Sequence, residues 1–352
     1  MKWTSEVKCW FLVAALPLLL GCILWPIFTL VWCLYVVWFV SQQFYSPKYL
    51  DAKERVIYIT GCDSGFGHSA ALEFDQLGCY VFAGCLRPDG EGADSLKAQA
   101  CSRLTVLDLD VTDQAKVDAC AEKIDHFCRE KALPGLWALY NNAGISSAGE
   151  IEWFPIDEYL RQADVNLWGT VRVTKSVLHL IRKAKGRVVT TTSGISRSVT
   201  PGRSGYCISK SGMEAFMDCL RYEMHKFGVK CCTITPGNFT GLTGIFDGMP
   251  EHVDRILSAL PARVRQAYGE AYLNAFKEKV CGKYTQSGVS LSMDVVLEAM
   301  KDAGLLVSPR VRFRPAQMSW IAWWLVHSTL PEEITDRLMA YWDRNMPKLP
   351  PQ

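Results

Sequence analysis

After residue 54 the chain alternates between short apolar runs and longer segments whose apolar positions recur at helical spacing. The short runs have the length of strands, and the first of them is rich in β-branched residues; they lie at residues 55–60, 80–83, 104–107, 136–140, 187–192 and 229–235. Helices are predicted between them, notably at residues 114–131, 156–183 and 205–227. Such alternation predicts an α/β fold in which a doubly wound parallel sheet carries helices on both faces.

The alternation stops near Pro236, and residues 241–331 have a mostly helical, irregular pattern. We expect this segment to cap a pocket rather than to form an independent domain, with residues 332–352 as a tail. Within the cap, residues 318–326 form a short apolar stretch that contains three tryptophans. A membrane span needs about 20 residues, so this stretch is either a core helix or a segment at a membrane interface, where Trp is enriched.

A second apolar region lies at the N-terminus, where residues 9–40 contain no charged side chain. As a helix these 32 residues would be about 48 Å long, well beyond the roughly 30 Å hydrocarbon core of a bilayer. The pattern predicts a membrane anchor, which Pro26 either kinks as one span or divides into a hairpin. Residues 1–8 flank the anchor and residues 41–54 link it to the sheet, but their charges are too balanced to orient it.

The composition excludes several classes of protein and site. The 38 basic and 36 acidic residues nearly balance, which gives no electrostatic case for a nucleic-acid partner. The 14 cysteines are scattered, with no Cys-x-x-Cys pair and no histidine cluster at ligand spacing. Neither a metal site nor a disulfide framework is therefore expected, and buried thiols suit a reducing compartment.

Candidate chemistry begins with Tyr206 and Lys210, which are four residues apart and share one face of a predicted helix. A phenol titrates at about pH 10, so Tyr206 can exchange protons at neutral pH only if a cation stabilises its phenolate. Lys210 has the charge and the spacing to do so. Ser193 lies thirteen residues before Tyr206, at the end of a predicted strand. Alone, a Tyr and a Lys one helical turn apart are an ordinary surface pair.

A glycine-rich turn joins the first predicted strand to the helix that follows it. It has the pattern Thr-Gly-x-x-x-Gly-x-Gly, in which three residues instead of one separate the first two glycines. Glycines at such a position allow a tight turn and a close backbone approach to a pyrophosphate at the helix N-terminus. The turn predicts a Rossmann-like dinucleotide site formed by Gly61, Asp63, Ser64, Gly65, Phe66 and Gly67.

The order and spacing of the motifs in this chain resemble the short-chain dehydrogenase/reductase family. Along the chain, the glycine turn is followed by Asn142-Ala143-Gly144, Asn166, Ser193, Tyr206 with Lys210, and Pro236-Gly237. By the resemblance, residues 55–240 form the dinucleotide-binding catalytic core. Within the family, residues 60–67, 81–86, 165–171 and 219–224 are similar to hydroxybutyrate dehydrogenases. The apolar N-terminus and residues 92–96 are more similar to membrane-bound hydroxysteroid dehydrogenases, and retinol dehydrogenases are a third similar branch.

The resemblance implies a catalytic role for four residues. Tyr206 would exchange a proton with the substrate oxygen while the nicotinamide ring exchanges hydride. Lys210 would lower the pKa of Tyr206 and hold the ribose hydroxyls. Ser193 would donate a hydrogen bond to the substrate oxygen and stabilise the charge that develops there, and Asn166 would anchor a water chain from Lys210 to solvent.

The resemblance also implies a set of cofactor contacts. Asp110 would accept a hydrogen bond from the adenine amino group, and Asn142 would mainly stabilise the central strand, beside backbone that lies against the adenine ribose. The full implied set comprises Gly61, Asp63, Ser64, Gly65, Phe66, Gly67, Asp110, Asn142, Ala143, Gly144, Tyr206, Lys210, Pro236 and Gly237.

Two positions depart from the family pattern. At the end of the second strand, where NAD-preferring members carry an aspartate, this chain has Cys85, and Arg87 lies one position late for a residue that selects NADP. Asp63 in the glycine turn would repel a 2′-phosphate, so NAD is the expected cofactor and NADP is the alternative. Five residues past Pro236, where the family has a threonine near the nicotinamide, this chain has Gly241.

The expected function is hydride transfer between a nicotinamide cofactor and a small alcohol or ketone. The anchor in the membrane lipid and the tryptophan-bearing stretch favour a lipophilic substrate of the hydroxysteroid or retinol class. D-3-hydroxybutyrate is the alternative substrate, because Arg197 or Arg203 would bind its carboxylate. A cofactor-binding scaffold without turnover is the alternative of another class.

One sequence pattern bears on the location of the protein. Asn238-Phe239-Thr240 is the only N-glycan acceptor pattern in the chain, and by the resemblance it lies against the cofactor, where a glycan would block the site. We therefore expect a cytosolic catalytic domain. The expected membrane is that of the endoplasmic reticulum, and a mitochondrial membrane is the alternative. The sequence leaves open whether the chain forms a homodimer.

Overall fold

The computed structural model describes residues 29–37, 47–286, 292–342 and 346–350. The chain divides into two compact units, Met1–Lys48 and Tyr49–Gln352. In the first unit, residues 29–37 are helical and their large apolar side chains, such as Trp32, are exposed. The rest of the predicted anchor at residues 9–40 lies outside the described residues. Among the residues that are described, no helix has both the length and the apolar composition that a membrane crossing requires.

The second unit is organised around a parallel sheet. In the described part of the chain the sheet has seven strands in the spatial order β3-β2-β1-β4-β5-β6-β7. In chain order they are Val56–Thr60 (β1), Tyr80–Cys85 (β2), Leu104–Asp108 (β3), Ala138–Asn141 (β4), Arg187–Thr191 (β5), Lys230–Ile234 (β6) and Arg312–Phe313 (β7). The first six confirm the predicted strands and the Rossmann-like architecture. β7 has no predicted counterpart, because two residues carry no readable alternation and pairing with β6 defines them.

Helices connect the strands and continue beyond β6. In chain order they are Gly65–Gln76 (α1), Glu91–Gln99 (α2), Gln114–Glu130 (α3), Ile156–Ala163 (α4), Gly169–Ala184 (α5), Ser204–Met224 (α6), Met249–Ser258 (α7), Ala262–Tyr268 (α8), Glu270–Gln286 (α9), Asp294–Leu305 (α10), Met318–Thr329 (α11) and Glu332–Trp342 (α12). The helix predicted at residues 156–183 is divided into α4 and α5 by a π-helical turn, Asp164–Trp168. Such turns are frequent at functional sites, and this one contains Asn166.

Both faces of the sheet are apolar and covered by helices. All five residues of β1 are buried, as expected for a strand in the middle of a parallel sheet. Ile57 and Ile59 pack in one cluster with residues of α1, α2 and α10. Val56 and Tyr58 pack in a second cluster, on the other face, with residues of α3, α5 and α6. Because successive side chains of β1 point to opposite faces of the sheet, the strand contributes residues to two separate cores.

A third apolar cluster belongs to the cap. Residues of α7, α8 and α9 pack there around Trp153 and Phe154, which come from the segment between β4 and α4. Other parts of residues 241–331 pack on the sheet instead, since Val296 and Met300 of α10 join the β1 cluster and β7 pairs with β6. The range expected to form a cap thus contains both a helical lobe with its own core and elements that extend the sheet.

Candidate active site

A cavity of about 740 Å³ lies at the carboxyl ends of the strands, where ligands bind in open α/β sheets. Fourteen of the sixteen residues predicted from the sequence line this cavity: Gly61, Asp63, Ser64, Gly65, Phe66, Asp110, Asn142, Ala143, Gly144, Ser193, Tyr206, Lys210, Pro236 and Gly237. The other two, Gly67 and Asn166, are buried and contact lining residues rather than the cavity. Residues far apart in the chain are therefore gathered at one edge of the sheet.

The glycine turn depends on the absence of side chains. Gly61 and Gly65 have φ values of 70° and 59°, in the left-handed region that glycine adopts at little cost. A Cβ on Gly67 would lie 2.3 Å from the Gly61 carbonyl oxygen and 2.6 Å from Asn142 Nδ2. The turn then enters α1, whose N-cap Ser64 makes no side-chain capping bond and whose first turn carries no acidic residue. This cradle fits the phosphates of a dinucleotide.

Thr60 holds the glycine turn to the segment after β4. Its Oγ1 accepts hydrogen bonds from the backbone N–H groups of Asn142 and Ala143, both at 3.0 Å. In return, Asn142 Nδ2 donates to the carbonyl oxygens of Thr60 and Gly61, both at 3.2 Å. Asn142 thus joins the ends of β1 and β4. Sequence reasoning missed Thr60 as a site residue, although Thr60 directly precedes the first glycine of the motif.

Tyr206 and Lys210 are both buried on α6 and line the cavity. Lys210 Nζ lies 5.7 Å from the centroid of the Tyr206 ring and donates a hydrogen bond to the Thr191 carbonyl oxygen at 3.0 Å. Burial lowers the pKa of Lys210 to about 8, because a charged ammonium is disfavoured away from water. Ser193 lies at the end of β5, at the start of a short 3₁₀ turn, Gly194–Ser196.

Asn166 connects the loop after β4 to the helix that carries Tyr206. Its Oδ1 accepts from the N–H of Ile145 at 2.8 Å, and its Nδ2 donates to the Ile145 carbonyl oxygen at 2.9 Å. Nδ2 also donates to Ser209 Oγ at 2.9 Å, and that hydroxyl donates to the Tyr206 carbonyl oxygen. The amide of Asn166 is thus engaged with backbone and with Ser209, a residue that sequence reasoning missed for lack of any motif signal.

The end of the cavity near β2 and β3 is acidic. Both carboxylate oxygens of Asp63 accept backbone hydrogen bonds, from Leu86 N at 3.0 Å and from Arg87 N at 2.9 Å. Asp110 Oδ1 accepts from the N–H and the hydroxyl of Thr112, at 2.9 and 2.7 Å. One carboxylate thus comes from the turn after β1 and the other from the end of β3.

The two arginines proposed for a substrate carboxylate have different surroundings. Arg203 is buried and lines the cavity; its Nη1 donates to Ser146 Oγ at 2.8 Å, and its guanidinium lies 4.5 Å from the Phe246 ring centroid. Arg197 is exposed and lies 3.7 Å from Glu214. Of these two arginines, Arg203 lines the cavity that Tyr206 also lines, and Arg197 does not.

Helix α11 packs against the loops that follow β5 and β6. Trp320 lines the cavity, and a Cβ on Gly194 would lie 2.3 Å from Cζ2 of the buried Trp324. This tryptophan-bearing stretch was expected either in the core or at a membrane interface, and one side of it contacts the residue next to Ser193. Near the position where Gly241 replaces the family threonine, Thr243 lines the cavity.

Comparisons with known proteins show which family this chain is similar to. Residues 55–252 match the model of the short chain dehydrogenase family. Mitochondrial D-beta-hydroxybutyrate dehydrogenase of Bos taurus is 40% identical over 86% of this chain and 88% of its own length. Retinol dehydrogenase 5 of Mus musculus is 35% identical over 93% and 96% of the two chains, and 17-beta-hydroxysteroid dehydrogenase type 6 of Bos taurus is 35% identical over 88% and 93%.

Solved structures share the fold at lower identity. A short-chain dehydrogenase from Streptomyces avermitilis has a TM-score of 0.61 and 20% identity, over 83% of this chain and 97% of its own. A family protein from Burkholderia phymatum, crystallised with NAD, also has a TM-score of 0.61 and 20% identity, over 86% and 99%. The residues that match the family model, 55–252, include the glycine turn, Ser193, Tyr206 and Lys210. On these grounds the chain belongs to the short-chain dehydrogenase family.

Proposed function

We propose that this protein is an NAD-dependent oxidoreductase that interconverts an alcohol and its carbonyl compound, with Tyr206 as the acid and base. The observation that supports it most strongly is the burial of Tyr206 and Lys210 on one turn of α6, beside Ser193, at the wall of a cavity that begins at a glycine turn. General acid–base chemistry needs such a group within reach of the reacting oxygen.

The residues present fit a bound nicotinamide dinucleotide. The glycine turn and the N-terminus of α1 would hold its pyrophosphate, and Asp110 would lie near its adenine. Lys210 donates one hydrogen bond to Thr191, and an ammonium has three donors, so it can also hold ribose hydroxyls. When bound, the nicotinamide ring supplies or takes up the hydride.

The proton is handled by side chains of this chain. In the direction of oxidation, the Tyr206 oxygen takes the proton of the substrate hydroxyl, and in reduction it returns it. The ammonium of Lys210 stabilises the negative charge on that oxygen, and the Ser193 hydroxyl donates a hydrogen bond to the substrate oxygen. Asn166 supports this arrangement, since it fixes Ile145 and, through Ser209, the first turns of α6.

Tyr206→Phe tests this assignment. We expect kcat to fall by about 10²–10⁴, the usual contribution of a general acid–base group, while NADH binding measured by fluorescence stays within about twofold. Tyr222→Phe is the matched control, because Tyr222 is exposed on the same helix. Wild-type turnover in Tyr206→Phe would contradict the role of this residue. Binding of NADH without turnover of any alcohol by the wild type would instead support the scaffold.

For the substrate, we propose a lipophilic alcohol of the hydroxysteroid or retinol class. Apolar and aromatic side chains line the cavity beside Ser193 and Tyr206, namely Ile195, Phe239, Ile245, Phe246 and Trp320. Ligand pockets of this kind bind apolar molecules and orient them with few polar groups. Two of the similar relatives named above are retinol and hydroxysteroid dehydrogenases by name.

A short hydroxy acid such as D-3-hydroxybutyrate is the second candidate, because the buried cation of Arg203 lines the same cavity. An arginine can bind a carboxylate with two parallel hydrogen bonds. Arg203→Gln and Arg197→Gln form a matched pair from one loop. If a hydroxy acid is the substrate, only Arg203→Gln should raise its KM, by about tenfold or more. Turnover of retinol or a hydroxysteroid that exceeds 3-hydroxybutyrate turnover by orders of magnitude would rule this candidate out.

We propose that residues 9–40 anchor the protein in a membrane, with the catalytic unit on the cytosolic side of the endoplasmic reticulum. The uncharged stretch and the exposed apolar side chains of residues 29–37 support this. The double variant Leu19→Arg and Leu34→Arg should release the protein into the soluble fraction, since each charge costs about 3 kcal/mol in a bilayer. Loss of mass on glycosidase treatment, from a glycan on Asn238, would contradict the cytosolic side, and co-fractionation with mitochondria would favour the alternative membrane.

A further inference from the structure

The end of β2 lacks the acid that commonly recognises the adenine ribose of NAD. In dinucleotide-binding sheets, an Asp or Glu about 20 residues past the glycine turn accepts hydrogen bonds from the 2′-hydroxyl, whereas a nearby Arg accommodates a 2′-phosphate. Here β2 ends at Cys85, which is fully buried. Burial raises the pKa of its thiol to about 12, so this position carries no charge at neutral pH.

A carboxylate nevertheless stands at this strand end, and it comes from the glycine turn. Asp63 accepts the N–H of Leu86 with one oxygen and the N–H of Arg87 with the other. The two residues that follow β2 therefore hold the Asp63 side chain beside the strand end. The first turn of α2 packs closely on the backbone of Asp63. A Cβ on Gly92 would lie 1.9 Å from the Asp63 carbonyl oxygen, so only a glycine fits there.

The charges at this end of the cavity disfavour an added phosphate. Asp63, Arg87 and Asp110 line it, so two carboxylates face one exposed guanidinium. An ionised carboxylate has about four lone-pair sites, and the two backbone bonds to Asp63 leave acceptor sites for a ribose hydroxyl. A 2′-phosphate would instead bring about two negative charges next to a carboxylate that two amides hold in place.

We propose that Asp63, acting from the glycine turn, is the residue that selects NAD over NADP in this protein, in place of an acid at the end of β2. This inference rests on the proposed function, because it names the determinant of cofactor choice at the same site. Arg87, whose backbone holds Asp63, is then the residue that would favour NADP once the Asp63 charge is removed.

Binding of NADH and NADPH to the full-length protein, measured by fluorescence titration without any alcohol, tests the proposal. The wild type should bind NADH about tenfold or more tighter than NADPH, and Asp63→Asn should reduce this ratio by about tenfold, as expected for the loss of a unit charge at close range. Asp113→Asn is the matched control, because Asp113 caps α3 through its side chain and does not line the cavity. It should leave the ratio unchanged.

Asp63→Glu separates the charge from the backbone contacts. It keeps the carboxylate but not the hydrogen-bond geometry, so the ratio should stay close to that of the wild type even if the thermal midpoint falls. A wild type that prefers NADPH, an unchanged ratio in Asp63→Asn, or equal loss of preference in both Asp63 variants would each overturn the inference. A wild type that binds neither nucleotide would overturn the proposed function itself.

Discussion

The glycine turn and the loop after β5 line the same cavity, but different kinds of atoms surround them. Around Gly67 the nearest neighbours are the Gly61 carbonyl and the Asn142 amide, which are themselves hydrogen-bonded to each other. Around Gly194 the nearest neighbour is the side chain of Trp324, from α11. The backbone around Gly67 cannot move without breaking the hydrogen bonds of the turn, whereas the side chain beside Gly194 can adopt another rotamer or be substituted. The first region therefore suits a ligand part that stays constant, and the second suits a substrate that varies among relatives.

Gly67→Ala should have the largest effect. The new Cβ would meet a backbone oxygen at 2.3 Å, so we expect a loss of about 3 kcal/mol in the free energy of unfolding, the upper end for overpacking. NADH affinity should fall by about a hundredfold, because the turn no longer closes around the phosphates. Thermal unfolding and NADH titration measure the two effects.

Gly248→Ala is the control for that prediction. Gly248, unlike Gly67, has a positive φ, of 71°, but a Cβ there would meet nothing within 4 Å. Only the strain of the left-handed conformation remains, about 1 kcal/mol, and NADH affinity should not change. Equal losses of NADH affinity in the two variants would contradict the view that tight backbone packing at the glycine turn is needed for NADH binding.

Lys210 lines the same cavity. Its titration should have the next largest effect on the free energy of unfolding. The folded chain releases the Lys210 proton at about pH 8, whereas the ordinary pKa is 10.5. This group therefore destabilises the fold fully below pH 8 and progressively less as the pH rises toward 10.5. Relative to Lys210→Met, the wild type should gain about 2 kcal/mol between pH 8 and pH 10. Urea unfolding at several pH values measures it, and a pH-independent difference would contradict burial of the charged form.

Gly194→Ala should have a moderate effect that can be reversed. Its Cβ would meet Trp324, push the loop that carries Ser193, and lower kcat/KM by about tenfold, equivalent to about 1.4 kcal/mol. Adding Trp324→Phe removes the crowding atoms and should restore part of the activity, a coupling that a double-mutant cycle quantifies. Absence of any rescue would mean that α11 does not position Ser193. Trp323→Phe on the same helix is the control.

The smallest effect is expected in the cap. Tyr272 donates a hydrogen bond to Glu150 Oε1 at 2.5 Å, which joins α9 to the segment after β4. Tyr272→Phe should cost about 1 kcal/mol of stability, the net value of one hydrogen bond, with NADH affinity unchanged. A loss of binding free energy for NADH larger than the loss of unfolding free energy would show that the cap also contributes to the NADH site.

Sequence reasoning located the features that local pattern encodes. Six strands and the glycine turn follow from alternation and glycine spacing, and helical periodicity places Tyr206 and Lys210 on one helix face. Grouping Ser193 with them depended on the family resemblance. The two-residue strand β7 did not, because pairing with the distant strand β6 defines it. The π-turn at Asp164–Trp168 did not either, because one extra residue per turn leaves no separate mark in the helical pattern of apolar positions. The choice between Arg197 and Arg203 also stayed open, since burial of a loop side chain depends on what packs over it.

The sequence by itself determined that the first strand ends in a glycine turn and that Tyr206 and Lys210 share a helix face, because these depend on neighbours within a few residues. The tertiary structure alone decided that Asp63 stands at the end of β2, that Trp324 packs against Gly194 and that Arg203 lines the cavity. Each of these contacts joins segments that are distant in the chain, and no local pattern records the packing that brings them together.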